Sequence, residues 1–195
     1  YRNKEGLYKY DIKSVGKKYL VPERIEGIID VLKNGINKED FKFEGIGDRK
    51  GIYFLPRTIV ARRYCEEFNK AGIKSVYIQG NTPPKKRETI FKDFREGKYQ
   101  LIFNVDLIKE GIHVDGVDLV IIDRPTDSRN LWNQQKGRQI FNIEGQEYER
   151  EGLLIDFVGN CLNNFKKYTY TYSQKQYPKG DILDIIEKSI GVECI

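Results

Sequence analysis

The sequence is poor in cysteine and histidine, and this shortage excludes several kinds of site. The three cysteines, Cys65, Cys161 and Cys194, are odd in number, widely spaced and form no Cys-x-x-Cys pair. The single histidine, His113, completes no metal-ligand pattern with them. We therefore expect neither a disulfide framework nor a zinc site, and we interpret the cysteines as reduced thiols in a cytoplasmic protein.

Long apolar runs are also lacking. No run approaches the roughly 20 residues that a membrane-spanning helix needs, and residues 1–5 offer no apolar stretch for a secretion signal. The chain starts with Tyr1 rather than Met, which suggests a fragment of a longer protein. Hydrophobic residues make up 39% and charged residues 32%, so a soluble globular domain with a charged surface is expected. The net charge of +5 permits a polyanionic partner without requiring one.

Apolar spacing predicts a helix near the N-terminus. Residues 22–32 carry apolar side chains at helical spacing, and Asn34-Gly35 is a suitable helix end. Residues 36–50 are charged and contain glycines, so they are predicted to form a loop. Residues 1–50 are therefore interpreted as an N-terminal tail, helix and linker.

From residue 51 onward, short apolar runs alternate with helical patterns. The predicted strands are residues 52–55, 75–78, 100–103, 119–122 and 153–155. Thr58 is predicted to cap the helix after the first strand, and Thr82 the next helix, with Pro83 at its first position. This alternation predicts a mostly parallel sheet covered by helices on both faces, whose ligands bind at the carboxyl ends of the strands.

Residues 161–195 are predicted to form a C-terminal strand and helix extension. Tyr168, Tyr170 and Tyr172 alternate with threonines after Lys166-Lys167. The alternation favours an ordinary strand, and a surface that stacks bases is the alternative. Residues 181–189 have the apolar spacing of a short amphipathic helix.

Five short motifs follow one another in the middle of the chain. They are Tyr53-Phe54-Leu55-Pro56-Arg57-Thr58, Gln79-Gly80-Asn81-Thr82-Pro83, residues 104–111, residues 124–138 with Gln134 and Gly137-Arg138, and residues 156–160. In this order they resemble motif IV and the later motifs of the second RecA-like domain of superfamily-two helicases and translocases. The restriction-enzyme motor subunits and phage-type helicases are the most similar group. The resemblance implies a RecA-like three-layer α/β domain over residues 51–160.

The resemblance implies that Arg57, Thr58, Gly80, Asn81 and Asn104 bind a nucleic-acid backbone, with DNA favoured over RNA. The start of a helix after a strand offers backbone N–H groups and a positive dipole end, which suit a phosphate. The alternatives are a capped helix with a solvated arginine and an ordinary tight turn. Asp106 lies two residues after Asn104, and a functional role and a structural role, in which its carboxylate braces the loop by accepting N–H bonds, are equally open for it.

The same resemblance implies an ATP-facing surface. Gln134, Gly137 and Arg138 share one face of a predicted helix, which in the family looks across a cleft at ATP bound with Mg²⁺ by a first RecA-like domain. Arg138 would approach the phosphates, Gln134 would orient it, and Gly111 would permit a tight loop near the nucleotide. A surface arginine on a helix is the alternative.

The parts that bind nucleotide phosphates in the first domain are missing. The sequence has no Gly-x-x-x-x-Gly-Lys-Ser/Thr loop and no Asp-Glu-x-His box for Mg²⁺. Gly45-Ile46-Gly47 precedes a strand rather than following one, so it is not a dinucleotide fingerprint. We therefore expect that the chain by itself does not hydrolyse ATP.

Two positions depart from the family pattern. Phe141 stands where the family usually has an arginine finger, a residue worth about 10³–10⁵ in rate in related phosphoryl transfer. His113 stands where motif V commonly ends in Asp. These departures keep open an alternative function as a degenerate, non-catalytic nucleic-acid-binding or scaffold domain with the helicase fold.

Overall fold

A parallel β-sheet is the centre of the structure. The computed structural model describes residues 17–39, 41–105, 114, 116–124 and 152–158. Its five-stranded sheet consists of β3 Gly51–Phe54, β4 Ser75–Gln79, β5 Leu101–Val105, β6 Leu119–Ile122 and β7 Leu153–Asp156. The spatial order of these strands is β4-β5-β3-β6-β7, and every pairing is parallel. Each strand overlaps its predicted range, and the predicted parallel sheet is confirmed.

Helices cover both faces of this sheet because the central strands β3, β5 and β6 are buried along their whole length. Helices α1 Pro22–Asn34 and α2 Thr58–Lys70 pack on one face, where Tyr53 and Leu55 point. Helix α3 Pro84–Arg95 packs on the other face, against Ile52 and Phe54. In the part of the chain that the structure describes, one sheet therefore separates two hydrophobic cores.

The core under α1 and α2 is rich in aromatic rings. Tyr53, Tyr64, Phe68 and Phe103 are fully buried, and their ring centroids lie 5.1–6.4 Å apart. Burial of one such side chain contributes about 1.5–3 kcal/mol, and edge-to-face geometry adds to that value. Helix α1 joins this core through its predicted apolar stripe, so it packs on the sheet rather than standing apart.

The prediction of a loop over residues 36–50 is wrong in part. Residues Ile36–Lys38 (β1) and Phe41–Phe43 (β2) form a short antiparallel hairpin. The backbone at Gly35 has φ 75°, and a Cβ there would collide with the carbonyl oxygen of Phe43. Three-residue strands with charged side chains are too short to produce a recognisable alternation.

Glycine is also required where β3 and β6 meet. A Cβ on Gly51 would lie 2.5 Å from the carbonyl oxygen of Leu119 and 2.7 Å from its Cβ. The two strands pair at this register, Gly51 opposite Leu119. The absence of a side chain therefore lets the central strand approach its neighbour.

Candidate functional site

The carboxyl ends of the parallel strands gather the predicted binding residues at one edge of the sheet. Arg57 and Thr58 follow β3, and Gly80 and Asn81 follow β4. The two strands are separated by β5, and the helices that follow them lie on opposite faces. Both helix N-termini therefore open toward the same edge.

Arg57, and not Thr58, occupies the N-cap position of α2. Its backbone is extended, with φ −149° and ψ 149°, and α2 begins at Thr58. No side chain caps this end, and the first turn has no acidic residue. The prediction of Thr58 as the cap is wrong, since the hydroxyl lies one residue inside the helix, beyond the position from which it could accept the N2 or N3 N–H. The first turn of α2 therefore brings no carboxylate to its N–H groups, and the Arg57 side chain that precedes them is exposed.

The turn after β4 is braced by Thr82 rather than capped by it. The Thr82 hydroxyl accepts the backbone N–H of Gln79 at 3.0 Å, and the Thr82 N–H donates to the Gln79 carbonyl at 2.9 Å. Helix α3 then begins at Pro84 with Pro83 in the N-cap position, so the predicted cap is wrong by one residue. Gly80 and Asn81 are exposed at the tip of this braced turn.

Two lysines that sequence reasoning did not single out stand at the start of α3. Lys85 and Lys86 are exposed in its first turn, which contains no acidic residue and no side-chain cap. Positive charge at a helix N-terminus opposes the helix dipole and is destabilising. The sequence contained this signal as Pro83-Pro84-Lys85-Lys86-Arg87, because the prolines mark the N-terminus of the helix and the basic residues follow them directly.

Asn104 lies elsewhere than predicted. It belongs to β5 rather than to the loop after it, and only 2% of its surface is exposed. Its carbonyl accepts the Leu55 N–H at 3.1 Å. In this conformation Asn104 connects the carboxyl ends of β3 and β5 and offers almost no surface to a ligand.

A shallow groove runs along the outer side of β4, next to the braced turn. Its volume is about 320 Å³. The lining combines aromatic, amide, hydroxyl and one basic side chain, and none of its residues is acidic: Cys65, Ser75, Val76, Tyr77, Gln79, Asn81, Thr82, Pro83, Lys86 and Tyr99.

A buried ion pair lies beneath the same edge of the sheet. The Arg24 guanidinium donates to both carboxylate oxygens of Asp123, at 2.9 and 2.6 Å, and also to the Tyr64 hydroxyl. The Tyr53 hydroxyl donates to Asp123 at 3.0 Å. Arg24 also stacks over the Tyr19 ring, 4.2 Å from its centroid. Burial is the largest single influence on the pKa of Arg24 and acts to lower it, but the Asp123 carboxylate together with Tyr64 and Tyr19 raises that pKa above its ordinary value. Arg24 therefore stays charged although it is buried.

The residues predicted to face ATP fall outside the described ranges. These are Gly111, Gln134, Gly137 and Arg138, together with Asp106, His113, Phe141 and the extension from residue 161. In the ranges that the structure does describe, no three His, Cys, Asp or Glu side chains are grouped to hold a metal ion. Every helix in those ranges is too short or too polar to span a bilayer.

Comparison with known proteins identifies the family. Residues 29–140, more than half of the chain, match the helicase conserved C-terminal domain. A 51.5 kDa protein of a Lactococcus phage (isolate 7-9) is 33% identical over 112 residues, which are 57% of this chain and 24% of that protein. The ATP-dependent RNA helicase eIF4A of Saccharomyces cerevisiae (strain YJM789) is 30% identical over 146 residues, 70% of this chain and 34% of that protein. The chain thus spans about a third or less of these curated relatives.

Solved structures have the same fold. The C-terminal domain of the DEAD-box protein Dbp5 superposes with a TM-score of 0.56 and 19% identity, covering 89% of this chain and 82% of that one. Dbp5 of S. cerevisiae bound to RNA and ADP BeF3 gives a TM-score of 0.58 and 18% identity, covering 86% of this chain and 42% of that one. These likenesses confirm the predicted RecA-like fold. The family match, which covers more than half of the chain, shows that the chain belongs to the helicase conserved C-terminal domain family.

Proposed function

We propose that this chain is the C-terminal motor domain of an ATP-dependent helicase or translocase. It would complete an ATP site together with a first RecA-like domain of the same parent protein. It would also bind the backbone of a nucleic-acid strand at the carboxyl edge of its sheet. The family match supports the motor role, and the relative named as an ATP-dependent RNA helicase supports the coupling to ATP.

The observation that carries this proposal is a pair of helix N-termini that lack any negative charge. Helices α2 and α3 both open toward the carboxyl edge of the sheet, neither has a side-chain cap, and neither has an acidic residue in its first turn. Arg57 precedes the first of these helices, and Lys85 and Lys86 lie in the first turn of the second. Aligned N–H groups with cations beside them form a site for phosphate groups.

In this proposal ATP drives the two domains together and hydrolysis lets them open. Arg138 would approach the ATP phosphates, Gln134 would orient Arg138, and Gly111 and Gly137 would allow close approach to the nucleotide. Mg²⁺ would be held mainly by the first domain. Arg57, Thr58, Gly80 and Asn81 would hold the strand, and the buried Asn104 would position the loop that follows it.

Binding of single-stranded oligonucleotides to the 195-residue chain tests the strand contact directly. Fluorescence anisotropy over a salt series would compare the unmodified chain with Arg57→Ala. Arg63→Ala is the matched control, because Arg63 lies on the same helix but more than a turn away and pairs with Glu67 at 3.0 Å. We expect Arg57→Ala to weaken binding and to reduce the slope of log affinity against log salt by about 0.7–1. Equal affinity and slope for both variants would contradict the proposed contact.

The choice between DNA and RNA is part of the same experiment. The preference for DNA stays a prediction from the sequence, whereas one similar protein is an ATP-dependent RNA helicase and one similar structure contains RNA. Oligomers of deoxythymidine and of uridine with equal length compare the two strands directly. A higher affinity for the uridine oligomer would overturn the DNA preference without affecting the motor proposal.

The second candidate function is a scaffold that binds nucleic acid but has lost hydrolysis. Phe141, in the place of the usual finger arginine, and His113 favour it. Phe141→Arg in the parent protein separates the two functions. A large gain in ATP hydrolysis would support degeneration, whereas little change in a parent protein that already hydrolyses ATP would support a motor that uses Arg138 alone.

A further inference from the structure

The outer side of β4 is closed to a pairing strand by its own neighbours. Among the described strands, β4 lies at one end of the sheet. An uncovered end strand normally offers a row of backbone groups to which an extended peptide can pair. In this protein side chains from α2 and from the following turn occupy that row.

The outward N–H groups of β4 have partners at every second residue. Asn69 Oδ1 accepts the Ser75 N–H at 2.9 Å, and the Thr82 hydroxyl accepts the Gln79 N–H at 3.0 Å. Between them the Tyr77 backbone hydrogen-bonds to the Cys65 thiol. The Ser75 carbonyl also accepts the Asn69 side-chain amide, at 2.9 Å. The groove along β4 is therefore not a site for an added β-strand, although it remains a concave surface.

The groove lining suits a nucleobase with its phosphate. Tyr77 and Tyr99 are half-buried and line the groove from opposite faces of the sheet. Half-exposed aromatic rings provide stacking surfaces for bases of any sequence. Lys86 supplies a positive charge, Gln79 and Asn81 supply amide groups, and no acidic side chain is present to repel a phosphate. A volume of about 320 Å³ lies at the lower end of the usual range for ligand sites.

The groove is continuous with the surface to which the strand contact is assigned. Asn81 belongs to both, since it lies at the tip of the turn after β4 and also lines the groove. From there the groove follows the outer side of β4 back to Ser75 and Tyr99, near the amino ends of β4 and β5. A strand bound at the carboxyl edge can thus turn at Asn81 and run along β4.

We propose that the groove along β4 is a second subsite for single-stranded nucleic acid, in which Tyr77 and Tyr99 stack bases and Lys86 binds a phosphate. This inference rests on the proposed strand-binding function. It extends the bound strand beyond the helix N-termini.

Oligomers of two lengths distinguish the groove from the carboxyl edge. About 4 and about 16 nucleotides represent the short and long ends of single-strand site sizes. Tyr99→Leu and Tyr77→Leu preserve apolar packing and remove the ring, while Tyr99→Phe and Tyr77→Phe keep the ring. We expect each leucine variant to bind the longer oligomer about tenfold more weakly and to bind the short oligomer with unchanged affinity. Each phenylalanine variant should bind both oligomers like the unmodified chain. Thermal unfolding of each variant verifies that the fold is intact.

Photo-crosslinking supplies a readout that a loss of stability would not move. A uridine oligomer carrying 5-iodouracil is irradiated with the unmodified chain, and the attached residues are identified by mass spectrometry. Crosslinks at Tyr77 or Tyr99 are expected. Unchanged affinity of the leucine variants with no crosslink at either tyrosine would overturn the subsite. Displacement of the long oligomer by polyglutamate as effectively as by an unlabelled oligonucleotide would also overturn it. Failure of the unmodified chain to bind any oligomer would instead overturn the proposed function.

Discussion

The guanidinium of Arg24 binds both carboxylate oxygens of Asp123, although 99 residues separate the two along the chain. The pair connects α1 to the residue that directly follows β6, beneath the edge where the candidate binding residues gather. Asp123 is fully buried, and Tyr53 fills a further position on its carboxylate. The pair therefore fixes where α1 sits on the sheet, whereas the apolar stripe of α1 supplies most of the burial.

Removing one partner of this ion pair is expected to lower the free energy of unfolding more than replacing both partners by apolar residues. Arg24→Met leaves a buried, unpaired carboxylate and should lower the free energy of unfolding by about 3–5 kcal/mol. The double variant Arg24→Met with Asp123→Leu removes both charges and should recover most of that loss. Urea unfolding measures both values, with Lys42→Met of the exposed Lys42–Glu44 pair as the control. Equal destabilisation by the single and double variants would contradict this description of the pair.

The thiol of Cys65 is expected to react slowly at neutral pH. Partial burial raises its pKa from 9.0 to about 11, and the hydrogen bond from Asn69 only partly offsets this. In a background with Cys161→Ser and Cys194→Ser, alkylation at pH 8 should be about 100-fold slower than for an ordinary thiol. The rate should rise as the pH approaches 11. Fast alkylation of the folded chain at pH 8 would show that the thiol is not protected.

The same thiol predicts the direction of alkaline instability. Its pKa is raised in the folded state, so the unfolded chain loses this proton at lower pH than the folded chain does. The stabilising contribution is complete below about pH 8.5 and is lost as the pH rises toward 11. Burial raises the pKa of Tyr53 and Tyr64 in the same direction. Chemical denaturation across this pH range should show falling stability, and a rise above pH 9 would be contrary to this account.

Much of the sheet could be predicted from the sequence because its strands are continuous apolar runs. Residues 119–122 were predicted without error, since all four side chains are buried on both faces of the sheet. Helix α1 could also be predicted, because the apolar side chains of its buried face recur at helical spacing. The hairpin over residues 36–43 was not predicted, because each of its strands has only three residues and mixed polarity.

The site was harder to predict than the fold because local rules compete there. Thr58 and Thr82 both have the residue type of a helix cap, but Arg57 and Pro83 occupy those positions. The Thr82 hydroxyl is used by the turn instead. The Arg24–Asp123 pair depends on tertiary contact between distant segments, and no local pattern indicates it. Asn104 was misplaced because β5 extends two residues beyond its predicted end.

The side chain of Asn69 is expected to protect the outer side of β4. It bonds both the N–H and the carbonyl of Ser75, each at 2.9 Å. Asn69→Ala leaves the Ser75 N–H without its acceptor and leaves the Ser75 carbonyl with only the weak Cys65 thiol donor at 3.3 Å, so it should lower stability by about 1–3 kcal/mol. It should also increase self-association at high protein concentration. Asn34→Ala, which removes only an exposed bond to Asp30, is the control for both measurements. No difference between the two variants in unfolding or light scattering would refute the protective role.

Substitution by alanine should lower stability at one glycine, Gly51, and leave it almost unchanged at another, Gly80. Gly51→Ala places a methyl group 2.5 Å from the Leu119 carbonyl and should lower stability by at least about 1–3 kcal/mol. At Gly80 a Cβ meets nothing within 4 Å, so Gly80→Ala should change stability by less than about 0.5 kcal/mol. Gly80→Ala should nevertheless weaken oligonucleotide binding, because the proposal requires a strand to approach this backbone closely. Thermal unfolding and anisotropy on the same samples separate the two effects, and unimpaired binding by Gly80→Ala would exclude close approach there.

ATP hydrolysis by the full-length parent protein, with and without single-stranded DNA or RNA, tests the motor function most directly. The variants Arg138→Ala and Arg57→Ala are measured beside the unmodified protein, and the 195-residue chain alone should be inactive. We expect nucleic acid to stimulate hydrolysis by the unmodified protein and Arg138→Ala to abolish it. Arg57→Ala should keep the basal rate of hydrolysis but reduce its stimulation by nucleic acid. No hydrolysis by a parent protein that still binds the strand would contradict the motor and support the scaffold.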